Sequence, residues 1–165
     1  MPKPVIVSEY ICETVRQVVL MMRVGNPEIT IDLTVPDEPL VAKFDRRLLS
    51  QAVTNIVKNA AESIASVPEE ERGEGRIAVE VRADRDRIVI STTDNGVGLP
   101  AENPSRLLEP YMTTPEKGTG LGLSNVTKIL EDHGGGIELG DAPAVALGGR
   151  GARITLWFPR SETTE

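Results

Sequence analysis

The fold is decided by two glycine-rich segments, DNGVG at residues 94–98 and GTGLGL at residues 118–123. The first follows a predicted strand, so Asp94 presents a carboxylate that can accept a hydrogen bond from an exocyclic amine. Gly96 and Gly98 would let the backbone approach a flat ligand closely. The second opens a predicted helix, whose free N–H groups and dipole favour phosphate binding. It lacks the lysine of a Walker A loop, and no strand precedes it as a Rossmann motif requires.

The connection between these segments is long and irregular. Residues 94–120 contain four prolines and little apolar periodicity. We expect at most one short helix in it, near residues 105–108. Connections longer than about 12–15 residues are uncommon in compact domains unless they are functional or disordered. This stretch is therefore a candidate functional loop.

A long helix is predicted upstream, from an N-cap at Asp45 to about Ser66. Asn55 and Asn59 lie four residues apart on the shoulder of its apolar stripe, so both amides share one helix face. An amide oxygen is a hard, neutral ligand that suits Mg²⁺. Taken alone, such a pair is more often two ordinary asparagines at the solvent boundary, because short spaced pairs are weak motifs. The stripe itself comprises Leu48, Leu49, Ala52, Val53, Ile56, Val57, Ala60 and Ile64.

Helices and strands mix along the rest of the chain without regular alternation. A helix is expected over residues 8–24, with Ser8 as N-cap and Gly25 as its stop, and another over residues 121–132. This mixture favours an α+β fold, a two-layer sandwich of three helices on a mixed, mostly antiparallel sheet. We expect one domain over residues 1–160 and a polar tail over 161–165. Strands are expected at residues 29–35, 40–42, 76–84, 87–93, 137–139 and 153–158, the third and fourth forming a hairpin.

Composition excludes several classes of protein. The chain of 165 residues has 18 Lys and Arg against 25 Asp and Glu, a net charge of −7, and 3% aromatic residues. A nucleic-acid binder normally carries a basic surplus and aromatic platforms. The single cysteine, Cys12, excludes an intrachain disulfide and a cysteine zinc cluster, and it fits a reducing, cytoplasmic setting. No signal peptide or run of about 18 apolar residues is present, so no membrane contact is expected.

His133 is the only histidine and follows the helix predicted to end near residue 132. A cation at a helix C-terminus is favourable, and the glycines that follow can form the C-cap. We therefore assign His133 a structural role. No Ser-His-Asp or Cys-His set can be assembled around it.

Four segments, in this order, resemble the motif boxes of histidine kinase catalytic domains. They are NIVKNA at residues 55–60, DNGVG at 94–98, EPYMTT at 109–114 and GTGLGL at 118–123. Such domains have the Bergerat ATP-binding fold, together with gyrase B, the Hsp90 chaperones and MutL. The resemblance covers about residues 5–160. The run LEPYMTTPEKGTGLGL looks closest to nitrogen-regulation sensor kinases of the NtrY and NtrB group.

The resemblance implies that the chain binds Mg²⁺ and ATP and transfers the γ-phosphoryl group to a histidine. Asp94 would accept from the adenine amine, with Gly96 and Gly98 bordering the base. Asn59 would ligate Mg²⁺, and Asn55 stands where the gyrase and Hsp90 branch carries a water-activating Glu. Since Asn cannot act as a general base, transfer is favoured over hydrolysis.

The resemblance also implies a mobile lid over about residues 103–120. Lys117 from this lid would act in catalysis with Asn55 and Asn59. The remaining ATP contacts would come from Tyr111, Thr113, Thr114, Lys117, Gly118, Thr119, Gly120, Leu121 and Gly122.

Two positions depart from the family pattern. Glu62 stands where many members carry a phosphate-binding Lys, and Ala152 stands where many carry a Thr near the base. A phosphoacceptor histidine motif is also missing. The acceptor would therefore lie on the kinase's own dimerisation domain, and a response regulator would be a separate partner.

Two other functions stay open at this point. A Bergerat-fold protein-serine kinase of the anti-sigma type would need no attached helical hairpin. A non-catalytic nucleotide-sensing or scaffolding module would bind nucleotide without transferring phosphate.

Overall fold

The computed structural model describes residues 3–71, 73–98, 121–141 and 151–160. Within these ranges no helix combines the length and the apolar character that crossing a membrane requires. The elements, in chain order, are β1 (Val7–Tyr10), α1 (Ile11–Gly25), β2 (Ile29–Thr34), β3 (Val41–Phe44), α2 (Arg46–Ala65), a 3₁₀ turn (Glu69–Glu71), β4 (Gly75–Asp84), β5 (Arg87–Asp94), α3 (Leu121–Asp132), β6 (Gly136–Asp141) and β7 (Ala152–Pro159).

The described strands form two sheets, and the larger has the order β2-β4-β5-β7-β6. Only β2 and β4 pair in parallel, and the other neighbours in this sheet are antiparallel. A parallel pair needs a long crossover, which here runs through β3 and α2. The strands β1 and β3 form a separate antiparallel ribbon. This arrangement confirms the predicted α+β sandwich with a mixed, mostly antiparallel sheet.

The core lies between the helices and one face of the larger sheet. All eight residues of the predicted α2 stripe are buried. On the facing side of β4 and β5, Ile77, Val79 and Ile90 are at most 1% exposed. Fully burying an aliphatic side chain of this size contributes about 1.5–3 kcal/mol. This packing therefore fixes which face of α2 points outward to the site.

Asp45 fixes the start of α2. Its Oδ1 accepts from the Leu48 amide at 3.0 Å, as the predicted N-cap requires, and its Oδ2 accepts from the Val5 amide at 2.7 Å. Burial raises the pKa of this carboxyl, but the hydrogen bonds from Val5 and Leu48 and the charge and amide of Arg47 together outweigh burial, so the pKa lies below its usual value. The ionised carboxylate thus joins the N-terminal segment to α2.

The N-terminal elements differ from the prediction. Residues 7–10 form β1, so α1 begins at Ile11 and Ser8 is not its N-cap. Helical periodicity could not reveal β1, because the strand is specified by its pairing with the distant β3. The other described strands and helices lie within two residues of the predicted ranges at each end. The predicted lid at residues 103–120, the short helix at 105–108 and the tail at 161–165 lie outside the described residues.

Candidate functional site

One face of α2 carries polar side chains at the edge of the core. Asn55 and Asn59 are both half-buried, beside the buried Ile56 and Ala60, as their spacing predicts. Ser63, four positions after Asn59, lies on the same face. The helix thus brings two amides and a hydroxyl to the boundary between core and solvent.

Asp94 is the last residue of β5 and is only 2% exposed. Its Oδ1 accepts from the Gly96 amide at 2.8 Å, and further hydrogen bonds come from the Ala152 backbone and the Ser63 side chain. Burial raises the pKa of this carboxyl above its usual value, and the three hydrogen bonds oppose that rise in part. A carboxylate has about four acceptor positions. The described donors therefore leave about one position for a donor on a ligand.

The segment after β5 is anchored on both sides. The Asn95 side chain accepts from the Arg76 amide at 2.9 Å and donates to the Glu74 carbonyl at 2.9 Å. On the other side, the Val97 amide donates to the Ser63 hydroxyl at 3.0 Å. Asn95 therefore has a structural role, and the segment holds Asp94 between β4 and α2.

Two glycines allow the backbone to pack tightly around Asp94. A Cβ at Gly96 would overlap the Ser63 hydroxyl, so the space that a side chain would need there is occupied by α2. The Cβ side of Gly96 therefore faces α2, and the close approach of a flat ligand to this backbone stays a prediction. Gly151 has a φ of 118°, and a Cβ there would overlap the Asp94 carbonyl oxygen. Gly98 lies beside Gly151.

One buried polar atom near Asp94 has no partner. Among the described residues, the Thr92 hydroxyl is the only buried side-chain nitrogen or oxygen without a hydrogen bond. Thr92 lies two residues before Asp94, so both side chains point to the same face of β5. Leaving a buried hydroxyl unpaired costs about 1–3 kcal/mol. A polar ligand or a water molecule at this end of the sheet would remove that cost.

The helix predicted to bind phosphate is α3, which begins at Leu121. Leu121 and Gly122 occupy its first turn, where amide N–H groups have no partner within the helix. The rest of the predicted phosphate and lid contacts lie outside the described residues and stay predictions. They are Tyr111, Thr113, Thr114, Lys117, Gly118, Thr119 and Gly120.

His133 links the end of α3 to the start of α2. Its Nε2 accepts from the Asp45 amide at 3.0 Å, so Nδ1 carries the proton and donates to the Ile129 carbonyl at 2.7 Å. The ring also packs edge-on against Phe158, with centroids 5.9 Å apart. The predicted structural role is confirmed, but the ring is a neutral bridge and not the cation that the helix dipole would favour. Both ring nitrogens are engaged, so His133 takes no part in the site.

Sequence reasoning missed two residues that shape the site. Ser63 continues the four-residue spacing of Asn55 and Asn59, and this spacing was the available signal. Gly151 gave no local signal, because its role depends on β7 returning beside β5.

The two departures from the family pattern have different structural settings. Ala152, which supplies no hydroxyl, still hydrogen-bonds to Asp94 through its backbone. Glu62 is half-buried next to Ser63 on α2. The described residues contain no group of three or more His, Cys, Asp or Glu that could hold a metal ion.

Comparison with known sequences points to one family. Residues 44–162 match the sequence model of a protein family described as histidine kinase-, DNA gyrase B-, and HSP90-like ATPase. The nitrogen regulation protein NtrY of Azorhizobium caulinodans is 55% identical over 169 residues, which cover 100% of this chain and 21% of that protein. The sensor histidine kinase ZraS of Escherichia coli O157:H7 is 36% identical over 132 residues, which cover 80% of this chain and 26% of that protein. The matched region thus corresponds to 21% of the length of the first relative and 26% of the second.

Comparison with solved structures agrees. The catalytic domain of histidine kinase ThkA superposes with a TM-score of 0.80 at 26% identity, covering 96% of this chain and 99% of that one. The mycobacterial sensor histidine kinase MprB gives a TM-score of 0.76 at 26% identity, covering 96% and 100%.

Proposed function

Because this chain belongs to the family of histidine kinase-, DNA gyrase B- and HSP90-like ATPases, we propose that it binds ATP with Mg²⁺ and transfers the γ-phosphoryl group to a histidine of a sensor kinase. The observation that carries this proposal is the setting of Asp94. A carboxylate that is 2% exposed and accepts hydrogen bonds from two neighbouring segments is not needed for the packing of a sheet. It is suited to a ligand that brings one further donor.

The adenine amine would be that donor. The base would lie against the Asp94–Gly98 segment, where Asp94 has about one acceptor position left. The unpaired Thr92 hydroxyl nearby also fits a polar ligand or an ordered water in this pocket. Recognition of the amine would distinguish adenine from a purine with an oxo group at that position.

The phosphates would extend from the base toward Asn59 and the start of α3. Mg²⁺ usually keeps several waters and binds one or two protein oxygens together with substrate phosphates. The half-buried Asn59 amide fits that requirement, with Asn55 one turn away. When bound, the ion would neutralise charge on the phosphates. The N-terminus of α3 and Lys117 would hold the phosphates in place.

Transfer is favoured over hydrolysis because Asn55 cannot remove a proton from water. Phosphoryl transfer depends mainly on positioning and charge neutralisation, which amides, backbone N–H groups and Lys117 can supply. His133 is not the acceptor, since both of its ring nitrogens are hydrogen-bonded.

The acceptor histidine would lie on the kinase's dimerisation domain, and a response regulator would receive the phosphoryl group next. The name of the ZraS relative, a sensor histidine kinase, supports this assignment. The name of the NtrY relative supports nitrogen regulation as the pathway. We place the domain in the cytoplasm, where it would meet ATP and its partner proteins.

The test is isothermal titration of the chain with a non-hydrolysable ATP analogue, with and without Mg²⁺. We expect binding that Mg²⁺ strengthens, and we expect Asn59→Ala to remove most of that Mg²⁺ effect. Gln51→Ala is the matched control, because this exposed amide lies on the same helix two turns before Asn59. Absence of binding at millimolar nucleotide would overturn the proposal.

A second assay separates a kinase from a nucleotide-sensing module. Radiolabelled ATP is incubated with the chain and a supplied dimerisation domain that carries the acceptor histidine. Acid-labile label on that domain is the expected result. Nucleotide binding without any transfer would favour the sensing module instead.

A further inference from the structure

Ser63 on α2 contacts the segment that carries Asp94. Its hydroxyl oxygen accepts from the Val97 amide at 3.0 Å, and its carbonyl oxygen accepts from the same amide at 3.2 Å. Its side chain also hydrogen-bonds to Asp94. One residue of the helix thus contacts the segment at two points on either side of Gly96.

The contact is close enough to fix the position of the segment. A Cβ at Gly96 would overlap the Ser63 hydroxyl and lie 2.7 Å from the Ile64 amide nitrogen. Real Cβ atoms do not approach backbone that closely, so the segment rests directly on α2 at Ser63. A change in the Ser63 side chain therefore acts directly on the geometry of Asp94.

The hydrogen bonds also have a direction. A hydroxyl has one proton to donate. An ionised Asp94 has no proton to donate, so the Ser63 hydroxyl donates to its carboxylate while the Ser63 oxygen accepts from the Val97 amide. This bond favours the ionised form of Asp94, whereas burial favours the neutral form. An ionised Asp94 can only accept, and a neutral one can also donate.

We propose that Ser63 is a positioning residue that sets base selectivity by holding Asp94 as a pure hydrogen-bond acceptor against α2. A pure acceptor pairs with a 6-amino purine and rejects a 6-oxo purine, which would place a second acceptor opposite it. This inference rests on the proposed function, since it assumes that Asp94 faces the base.

The probes are ATP and inosine triphosphate, which differ in the amino or oxo group at purine position 6 and in the proton that inosine carries on N1. Dissociation constants for both are measured from about pH 5 to pH 8 with wild type, Ser63→Ala and Ser66→Ala. Ser66 is the matched control. It is the C-cap residue of α2, three positions after Ser63, and its hydroxyl donates to the Glu62 carbonyl. Circular dichroism and thermal unfolding establish that each variant is folded.

We expect Ser63→Ala to weaken ATP binding about tenfold at neutral pH, as for loss of a hydrogen bond to a charged group. Its preference for ATP over inosine triphosphate should fall, and the pH at which ATP binding weakens should move upward. Ser66→Ala should match wild type in all three. A folded Ser63→Ala with the wild-type preference and pH profile would overturn the inference, whatever its affinity.

Two further outcomes use wild type alone. The preference for ATP should decline on acidification, because a protonated Asp94 can donate to the oxo group. A wild-type chain that binds both nucleotides equally at neutral pH would overturn the inference while leaving nucleotide binding established. A wild-type chain that binds neither nucleotide would overturn the proposed function and this inference together.

Discussion

The main-chain amide of Asp45 donates a 3.0 Å hydrogen bond to Nε2 of His133, 88 residues later in the chain. The Asp45 carboxylate accepts at the same time from the Val5 and Leu48 amides. One residue therefore joins the N-terminal segment, the start of α2 and the end of α3. The N-terminus of α3 lies at the segment predicted to bind phosphate. The contacts of Asp45 and His133 therefore anchor the opposite, C-terminal end of this helix.

We expect His133→Ala to lower the free energy of unfolding by about 1–3 kcal/mol. The substitution leaves the Asp45 amide without its acceptor in a buried position, which has a cost of that size. It also removes the edge-on contact with Phe158. Equilibrium unfolding in urea measures the change.

Glu131→Ala is the matched control for this prediction. Glu131 is exposed on the last turn of the same helix, and exposed substitutions usually stay within about 0.5 kcal/mol of wild type. Equal stability of His133→Ala and Glu131→Ala would contradict the bridging role.

A second prediction concerns pH. Asp45→Ala should lower the free energy of unfolding by about 1 kcal/mol near neutral pH, as for other N-cap residues. Burial raises the pKa of Asp45, and the amide hydrogen bonds and the charge of Arg47 together lower it by more, so the folded-state pKa lies below the unfolded one. The stabilisation is therefore complete above the unfolded pKa of about 3.9 and is lost as pH falls through the lower folded-state pKa.

The measurement for Asp45 is urea unfolding of wild type and variant from about pH 7 to the lowest pH at which wild type folds. The gap between the two curves should narrow only at the acid end. A gap that is constant over the whole range would show that the Asp45 charge does not contribute.

Much of the fold was predictable because its signals are local. The apolar stripe of α2 and the alternation in β2, β4 and β5 each specify one buried face, and the structure buries those faces. The N-cap at Asp45 was also readable, since capping needs only the residues of one turn. β1 was not, because its pairing with β3 is a contact between distant parts of the chain.

In the candidate site, too, local features were predictable and contacts between distant elements were not. The sequence placed Asn55, Asn59 and Asp94 on the elements where the structure has them. It could not show that Ser63 reaches Asp94, because that contact joins α2 to the end of β5. Nor could it show that Gly151 packs on Asp94, since this requires β7 to pair with β5.

A third prediction tests that close approach. Gly151→Ala should lower the free energy of unfolding by about 2 kcal/mol or more, because its φ of 118° disfavours a side chain and the Cβ would overlap the Asp94 carbonyl oxygen. Gly140→Ala is the control, since a Cβ there meets nothing within 4 Å. Thermal unfolding compares the two. Similar melting temperatures would show that β7 can move away from Asp94 without loss.

The last prediction addresses Asp94 itself. Asp94→Asn should reduce ATP affinity at least about a hundredfold, because an amide NH₂ would replace an acceptor in a buried site where donors already converge. The fold should persist, because the apolar core between helices and sheet is untouched. Asp86→Asn removes the same charge at an exposed turn residue and should bind like wild type. Titration with an ATP analogue gives both affinities, and circular dichroism checks folding. A folded Asp94→Asn variant with unchanged affinity would mean that the base is recognised elsewhere on the chain.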